Sequence, residues 1–294
     1  MDPYILANIF PRPLLELDDV TKYKEGIIQI PAKEEKIPCY FQKYEKSNKI
    51  LIIFHGNGSD IFNLPYYASE ISKTYEVNLL IPEYPGYSIY RVPPSPEKCL
   101  ENSLIIYDFI LNNFKNIREE NIYILGRSLG SSVAIYLSSK RNPAGVFLLS
   151  AFSDFSKVGK RDEEDSKILS NYFRSIDYID KVKAPILFIH GKNDYIVNYE
   201  ESNKLYEKCN KEVKKEIVLI DNMGHNFLYE FLRDEIIPYI TKFFKKYCFW
   251  NNELKSENNI NEIDLDKKFY ITDEEIDNII QEIKVEYNYK LFQK

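Results

Sequence analysis

Asn121-Ile122-Tyr123-Ile124-Leu125-Gly126-Arg127-Ser128-Leu129-Gly130 is the stretch on which the reading of this chain turns. The run Ile122–Leu125 is apolar throughout, as in a strand buried on both faces. Gly126-Arg127-Ser128-Leu129-Gly130 follows at once, and a helical pattern opens at Leu129. Gly-x-Ser-x-Gly between a strand and a helix is the setting of a nucleophile held on a sharp turn. Such a turn strains the serine backbone, and glycines on either side let the helix pack close to the strand. The helix N-terminus then brings its positive dipole end near a developing oxyanion. The plainer alternative is a serine that caps an ordinary helix, so the rest of the chain has to decide.

Working outward, short apolar runs alternate with amphipathic stretches. Ile50–His55, Val77–Pro82, Gly145–Ser150, Ala184–His190 and Glu216–Ile220 read as further buried strands. Asn63–Thr74, Pro96–Phe114, Leu129–Arg141, Tyr199–Cys209 and Asn226–Tyr247 read as helices. Gly26–Ile30 and Ile37–Lys43 look like an opening antiparallel pair. This alternation predicts an α/β fold with a mostly parallel, doubly wound sheet of about eight strands. The chain then divides into an N-terminal segment at 1–24, one α/β domain at 25–250, and a tail at 251–294. The tail is a polar, linker-like run followed by a helix over Asp273–Ile283, with Thr272 and Glu275 in a capping-box pattern. Residues 151–183 exceed what a tight connection needs, and read either as a small lid or as a surface crossover with one helix.

Composition narrows the function. With 29% charged residues and 44% hydrophobic ones, the 294-residue chain has an ordinary globular balance. The net charge of −6 and the lack of a basic cluster exclude nucleic acid as the main partner. Cys39, Cys99, Cys209 and Cys248 are scattered without a CxxC pair, so buried free thiols are expected, with no zinc site, metal or organic cofactor. No basic, apolar leader opens the sequence, and no apolar run approaches the about 18 residues of a membrane span. A cytoplasmic protein without a transmembrane segment, open to peripheral membrane contact, is the expectation.

A serine hydroxyl needs a base within hydrogen-bond reach. There are three histidines: His55, His190 and His225. The order nucleophile, acid, histidine along this fold excludes His55 as the base. His225 follows the last strand, at the carboxyl edge where ligands bind in open α/β sheets. Asp194, just beyond the strand ending at His190, is the favoured acid to orient it. Asp154, after the preceding strand, and Asp221, close to His225 in sequence, are its rivals. An oxyanion hole needs two amides. Leu129 supplies one, and the loop His55-Gly56-Asn57-Gly58 the other, with Asn57 preferred and Gly58 the alternative.

His55-Gly56-Asn57-Gly58, Glu83-Tyr84-Pro85-Gly86-Tyr87-Ser88, Gly126–Gly130, His190-Gly191-Lys192-Asn193-Asp194 and Gly224-His225 occur in an order that resembles the α/β-hydrolase superfamily. More narrowly, the chain over about residues 25–247 resembles the branch of α/β-hydrolase-domain proteins that includes palmitoyl-protein thioesterases. That resemblance implies an acyl ester or thioester substrate, with acylated protein as the narrower expectation. It also implies a short insert in place of a large lid. Carboxylesterase or lipase activity, peptidase activity and a non-catalytic binding role are the alternatives. Two departures stand out. The branch carries a lipidated N-terminal cysteine cluster, whereas no cysteine precedes Cys39 here. Glu83 stands where the branch often has Asp or a neutral residue, and a turn-capping role is expected of it.

Overall fold

In the computed structural model, residues 17–45, 47–226, 230–248 and 265–292 are described, together with Leu6, Ile9–Pro11, Leu15 and Ile263. The polar run at 251–262 lies outside them.

An eight-stranded sheet in the order β1-β2-β4-β3-β5-β6-β7-β8 forms the centre. Strands β1 (Ile27–Ala32) and β2 (Glu35–Gln42) form an antiparallel hairpin, and β2 pairs antiparallel with β4 (Asn78–Pro82). From β4 onward every pairing is parallel, through β3 (Ile50–Phe54), β5 (Ile122–Arg127), β6 (Gly145–Leu149), β7 (Ile186–Gly191) and β8 (Lys215–Ile220). The fold class and strand number expected from the alternation are those found.

The apolar runs explain this order of layers. In β3, Ile50, Ile52 and Phe54 face one core, while Leu51 and Ile53 face the other. Such strands need helices on both sides, and the chain supplies them. Helices α1 (Leu17–Tyr23), α2 (Pro65–Tyr75) and α7 (Ile237–Tyr247) cover one face through Val20, Ala68, Ile71, Ile240 and Phe243. Helices α3 (Pro96–Asn113), α4 (Leu129–Ser138) and α6 (Glu200–Lys208) cover the other through Ile106, Ile110, Val133 and Leu205. Local signals set their ends. Ser95 caps α3 by accepting from the Lys98 amide at 3.2 Å, with Pro96 at the first helical position. Helix α2 stops at Glu76, which takes a left-handed φ of 51°.

The last helical stretch differs from the periodic reading. Leu232–Ile236 forms a π-helical turn before α7 starts at Ile237, where Pro238 interrupts the amide ladder. Residues 151–183 hold one short helix, α5 (Glu163–Leu169), and several 3₁₀ turns, a short insert with Phe155 and Phe173 buried in the core. The C-terminal helix α8 (Asp273–Phe292) is longer than the capping pattern alone indicated. Its capping box forms, with the Thr272 amide donating to Glu275 at 2.9 Å and the Glu275 amide to Thr272 Oγ1 at 3.2 Å. The preceding segment bridges β1: Tyr270 pairs with Ile28, and the Ile271 amide donates to Ile27. Lys24–Asp273 and Lys36–Glu275 ion pairs tie α8 down, and Ile276 and Ile283 are buried beneath it.

After β3 the chain turns to β4 on one side, and after β4 it crosses to β5 on the other. The switch point between the carboxyl ends of β3 and β5 is where open α/β sheets form their crevice. Phe54 and Gly126 are register partners there, so the loops after both strands emerge side by side. All four cysteines are buried free thiols, and burial pushes the Cys39 and Cys99 thiols up, away from reactive thiolate.

Candidate active site

Ser128 sits between β5 and α4 with φ 50° and ψ −117°, a conformation that a non-glycine residue holds only when its surroundings enforce it. The enforcement comes from the glycines. A Cβ on Gly126 would lie 2.4 Å from the Gly130 carbonyl oxygen, and one on Gly130 would lie 2.0 Å from the Phe54 carbonyl oxygen. Helix α4 can therefore start hard against β3 and β5. The hydroxyl of Ser128 is left at the carboxyl edge.

His225 reaches it from the loop after β8. Its Nε2 lies 3.1 Å from Ser128 Oγ, and its Nδ1 lies 2.7 Å from Asp194 Oδ2. Asp194 comes from the loop after β7. A Cβ on Gly191 would meet the Met223 carbonyl oxygen at 2.1 Å, so the acid and histidine loops pack without a gap. Three residues distant in sequence thus form one hydrogen-bonded line, Ser128–His225–Asp194, at distances general acid–base chemistry requires. The rival acids are elsewhere. Asp221 is exposed and paired with Lys192, while Asp154 caps a turn by accepting from the Ser156 amide.

The Asp194 side chain is fully buried. Burial by itself raises its carboxyl pKa. The neighbouring His190 and His225 rings and the Val197 amide outweigh that and hold it well below the usual carboxylate range. The Ile196 and Val197 amides donate to Oδ1 at 3.0 and 2.8 Å, and His190 Nε2 lies 3.2 Å from Oδ2. The histidine near the end of β7 therefore lies against the acid. Because the folded value is depressed, Asp194 contributes stability that is present above its unfolded pKa of about 3.9 and lost as pH falls through the folded one. Asp194→Asn is expected to lower stability at neutral pH and to flatten its decline on acidification. Urea unfolding from pH 6 down to 2 measures this, and an acid limb as steep as in the parent protein would contradict it.

The loop after β3 is braced from below. Tyr87 donates its hydroxyl to Asn57 Oδ1 at 2.5 Å, and Tyr84 donates to the His55 carbonyl at 2.8 Å. Both come from the turn Glu83–Ser88, where Gly86 has φ 84°. Glu83 caps this turn by accepting from the Tyr84 amide at 2.9 Å, but its role is wider. It also accepts from the Ile61 amide and the Ser88 hydroxyl, and it contacts His55 Nε2 at 3.2 Å. Both side chains are fully buried. The sequence reading missed this cluster. Its signal was a His and a Glu, each ending a buried strand run, which must find polar partners inside. Leu129 opens α4, so its amide has no partner within the helix. Asn57 is partly buried and Gly58 exposed with φ 81°, both on the same loop.

A small apolar cleft lies on the α2/α7 side of this edge. Ile53, Leu125 and Leu149 line it from the sheet, and Gly56 and Arg127 line it as well. Among the described residues no helix is long and apolar enough to cross a membrane.

Several known proteins resemble this chain. A family model described as serine aminopeptidase, S33, matches residues 167–231, which contain Asp194 and His225. The Acanthamoeba polyphaga mimivirus protein named "Putative alpha/beta hydrolase L404" is 30% identical over 75% of this chain and 78% of its own length. Human alpha/beta hydrolase domain-containing protein 17B is 27% identical over 66% of this chain and 67% of its own. The mouse protein 17C is 28% identical over 72% of this chain and 64% of its own. Among solved structures, an esterase of Pyrococcus furiosus superposes with a TM-score of 0.63 at 19% identity, covering 81% of this chain and 96% of that one. With the sheet order, the serine elbow and the mimivirus relative in agreement, the chain belongs to the α/β-hydrolase family.

Proposed function

We propose that this protein is a serine hydrolase that cleaves carboxylic esters or thioesters through an acyl-enzyme. The observation that carries the reading is the hydrogen-bonded line Ser128–His225–Asp194. Ser128 attacks the acyl carbonyl while His225 takes its proton, and Asp194 holds the ring and stabilises the imidazolium. The Leu129 amide and that of Asn57, or of Gly58 in its place, hold the oxyanion. His225 then returns the proton to the leaving alcohol or thiol. Water, deprotonated by the same ring, releases the acid.

The apolar lining of the cleft that includes Arg127, the residue before Ser128, supports an apolar acyl group. Resemblance to the thioesterase branch supports a thioester of an acylated protein as the narrower substrate. A peripheral approach to membranes, where acylated proteins sit, belongs to the same reading. A fluorophosphonate probe tests the nucleophile. It is expected to label the parent protein on Ser128 and leave Ser128→Ala unlabelled, and labelling elsewhere would defeat the proposal. A series of acyl thioesters and esters of increasing chain length tests the substrate. Rising kcat/KM with chain length and a preference for thioesters are expected, whereas a preference for short oxygen esters would remove the narrower reading.

A further inference from the structure

Arg127 enters the reading above only as part of the cleft wall, yet it lies at the junction of three loops. It ends β5 one residue before Ser128, on the strand face that carries Tyr123 and Leu125. A guanidinium at the end of a buried strand needs partners. Its Nη2 donates to the His225 carbonyl at 2.7 Å and to Asn226 Oδ1 at 3.3 Å. Its Nη1 lies against the loop after β3, where a Cβ added to Gly56 would sit 2.9 Å away. The absence of a side chain at Gly56 leaves room for that approach.

We infer that Arg127 is a positioning residue, whose guanidinium fixes the His225 loop against the nucleophile strand and the Gly56–Asn57 loop. The inference rests on the reading of Ser128 and His225 as nucleophile and base. Arg127 grips the main chain of His225, not its ring, so it sets where the imidazole stands without touching the reacting atoms. The contact it protects is the 3.1 Å gap between His225 Nε2 and Ser128 Oγ, which is at the long end of hydrogen-bond reach. A displacement of about 1 Å there is enough to cost about 100-fold in rate. The rigid fork of arginine presents several N–H groups in one plane and can bind the carbonyl and the Asn226 amide oxygen together. Lysine offers a single point charge on a flexible stem, and so only part of the effect.

The test is a double-mutant cycle read with p-nitrophenyl butyrate, on Arg127→Met, Arg127→Lys, His225→Ala and the Met/Ala pair. Arg127→Met is expected to lower kcat by about 100-fold with KM unchanged. Arg127→Lys is expected to fall between Met and the parent. In the His225→Ala background Arg127→Met is expected to cost nothing more, because the group it positions is gone. An equal loss in both backgrounds would mean a merely structural role and overturn the inference. A loss confined to KM would overturn it too, as would full activity of Arg127→Met. Should Arg127→Met fail to fold, the cycle is run with Arg127→Lys on the same criteria. Full activity of His225→Ala is a separate outcome, which removes the underlying triad and the inference with it.

Discussion

Ser128→Ala is expected to abolish turnover while leaving the fold intact. Knocking out such a nucleophile costs on the order of a million-fold in kcat, because the remaining groups have nothing to act on. The structure separates this loss from unfolding. Ser128 Oγ contacts His225 Nε2, and the backbone of the elbow is held by other means. Those means are the Ser128 amide bonded to Leu149 at 2.9 Å and the close glycine contacts at 126 and 130. Alanine has the same β-carbon, so the strain at φ 50° is unchanged. The thermal midpoint should therefore move little, while steady-state hydrolysis of an activated ester disappears. Pairing Ser128→Ala with His225→Ala should give no deeper loss than either alone, since the two act as a unit. A Ser128→Ala protein that still turns over in an acyl-enzyme burst would sink the mechanism.

Glu83→Ala is expected to produce the largest loss of stability. The carboxylate accepts from the Ile61 and Tyr84 amides and the Ser88 hydroxyl, and it stands against His55. Removing it orphans these donors in a site without solvent. Each buried donor left unsatisfied costs about 1–3 kcal/mol. Much of a typical domain's stability of about 5–15 kcal/mol would go with it. Denaturant unfolding measures the change. The loop that carries Asn57 hangs on the same cluster through His55 and Tyr84, so residual protein should also lose activity. Glu83→Gln keeps the shape and some acceptors, and should fall in between. A Glu83→Ala midpoint equal to the parent's would show that the cluster is dispensable.

How much of this was legible beforehand depended on whether the signal was local. The strands were legible because a run such as Ile50–Phe54, buried on both faces, leaves an unbroken apolar word. The serine elbow was legible because glycine at 126 and 130 is a steric demand written within five residues. Asp194 and His225 were legible through chain order and the scarcity of histidine. The brace of Tyr87 on Asn57 was not, because nothing local links a tyrosine to a loop thirty residues earlier. The contact of His190 with Asp194 was hidden because a histidine near the end of a strand carries no local sign of which way its ring turns. Arg127 was hidden inside the motif itself, at a position the pattern treats as free. The π turn at Leu232–Ile236 was missed because it keeps nearly helical periodicity while shifting the frame by a residue.

The bridge between Ile28 and Tyr270 has a bearing on how the molecule is made. Strand β1 is the outermost strand of the sheet, and its free side presents amides and carbonyls ready to pair with any extended chain. The segment at Tyr270 and Ile271 occupies that side. Ile28 and Tyr270 lie far apart in the sequence, so the edge is uncovered from the synthesis of β1 until the Tyr270 segment has been made. The hairpin of β1 and β2 is sealed only once that distant segment arrives. A chain whose β1 has formed but whose Tyr270 segment has not docked is adhesive along one side, the state in which it most needs to be kept apart from its neighbours.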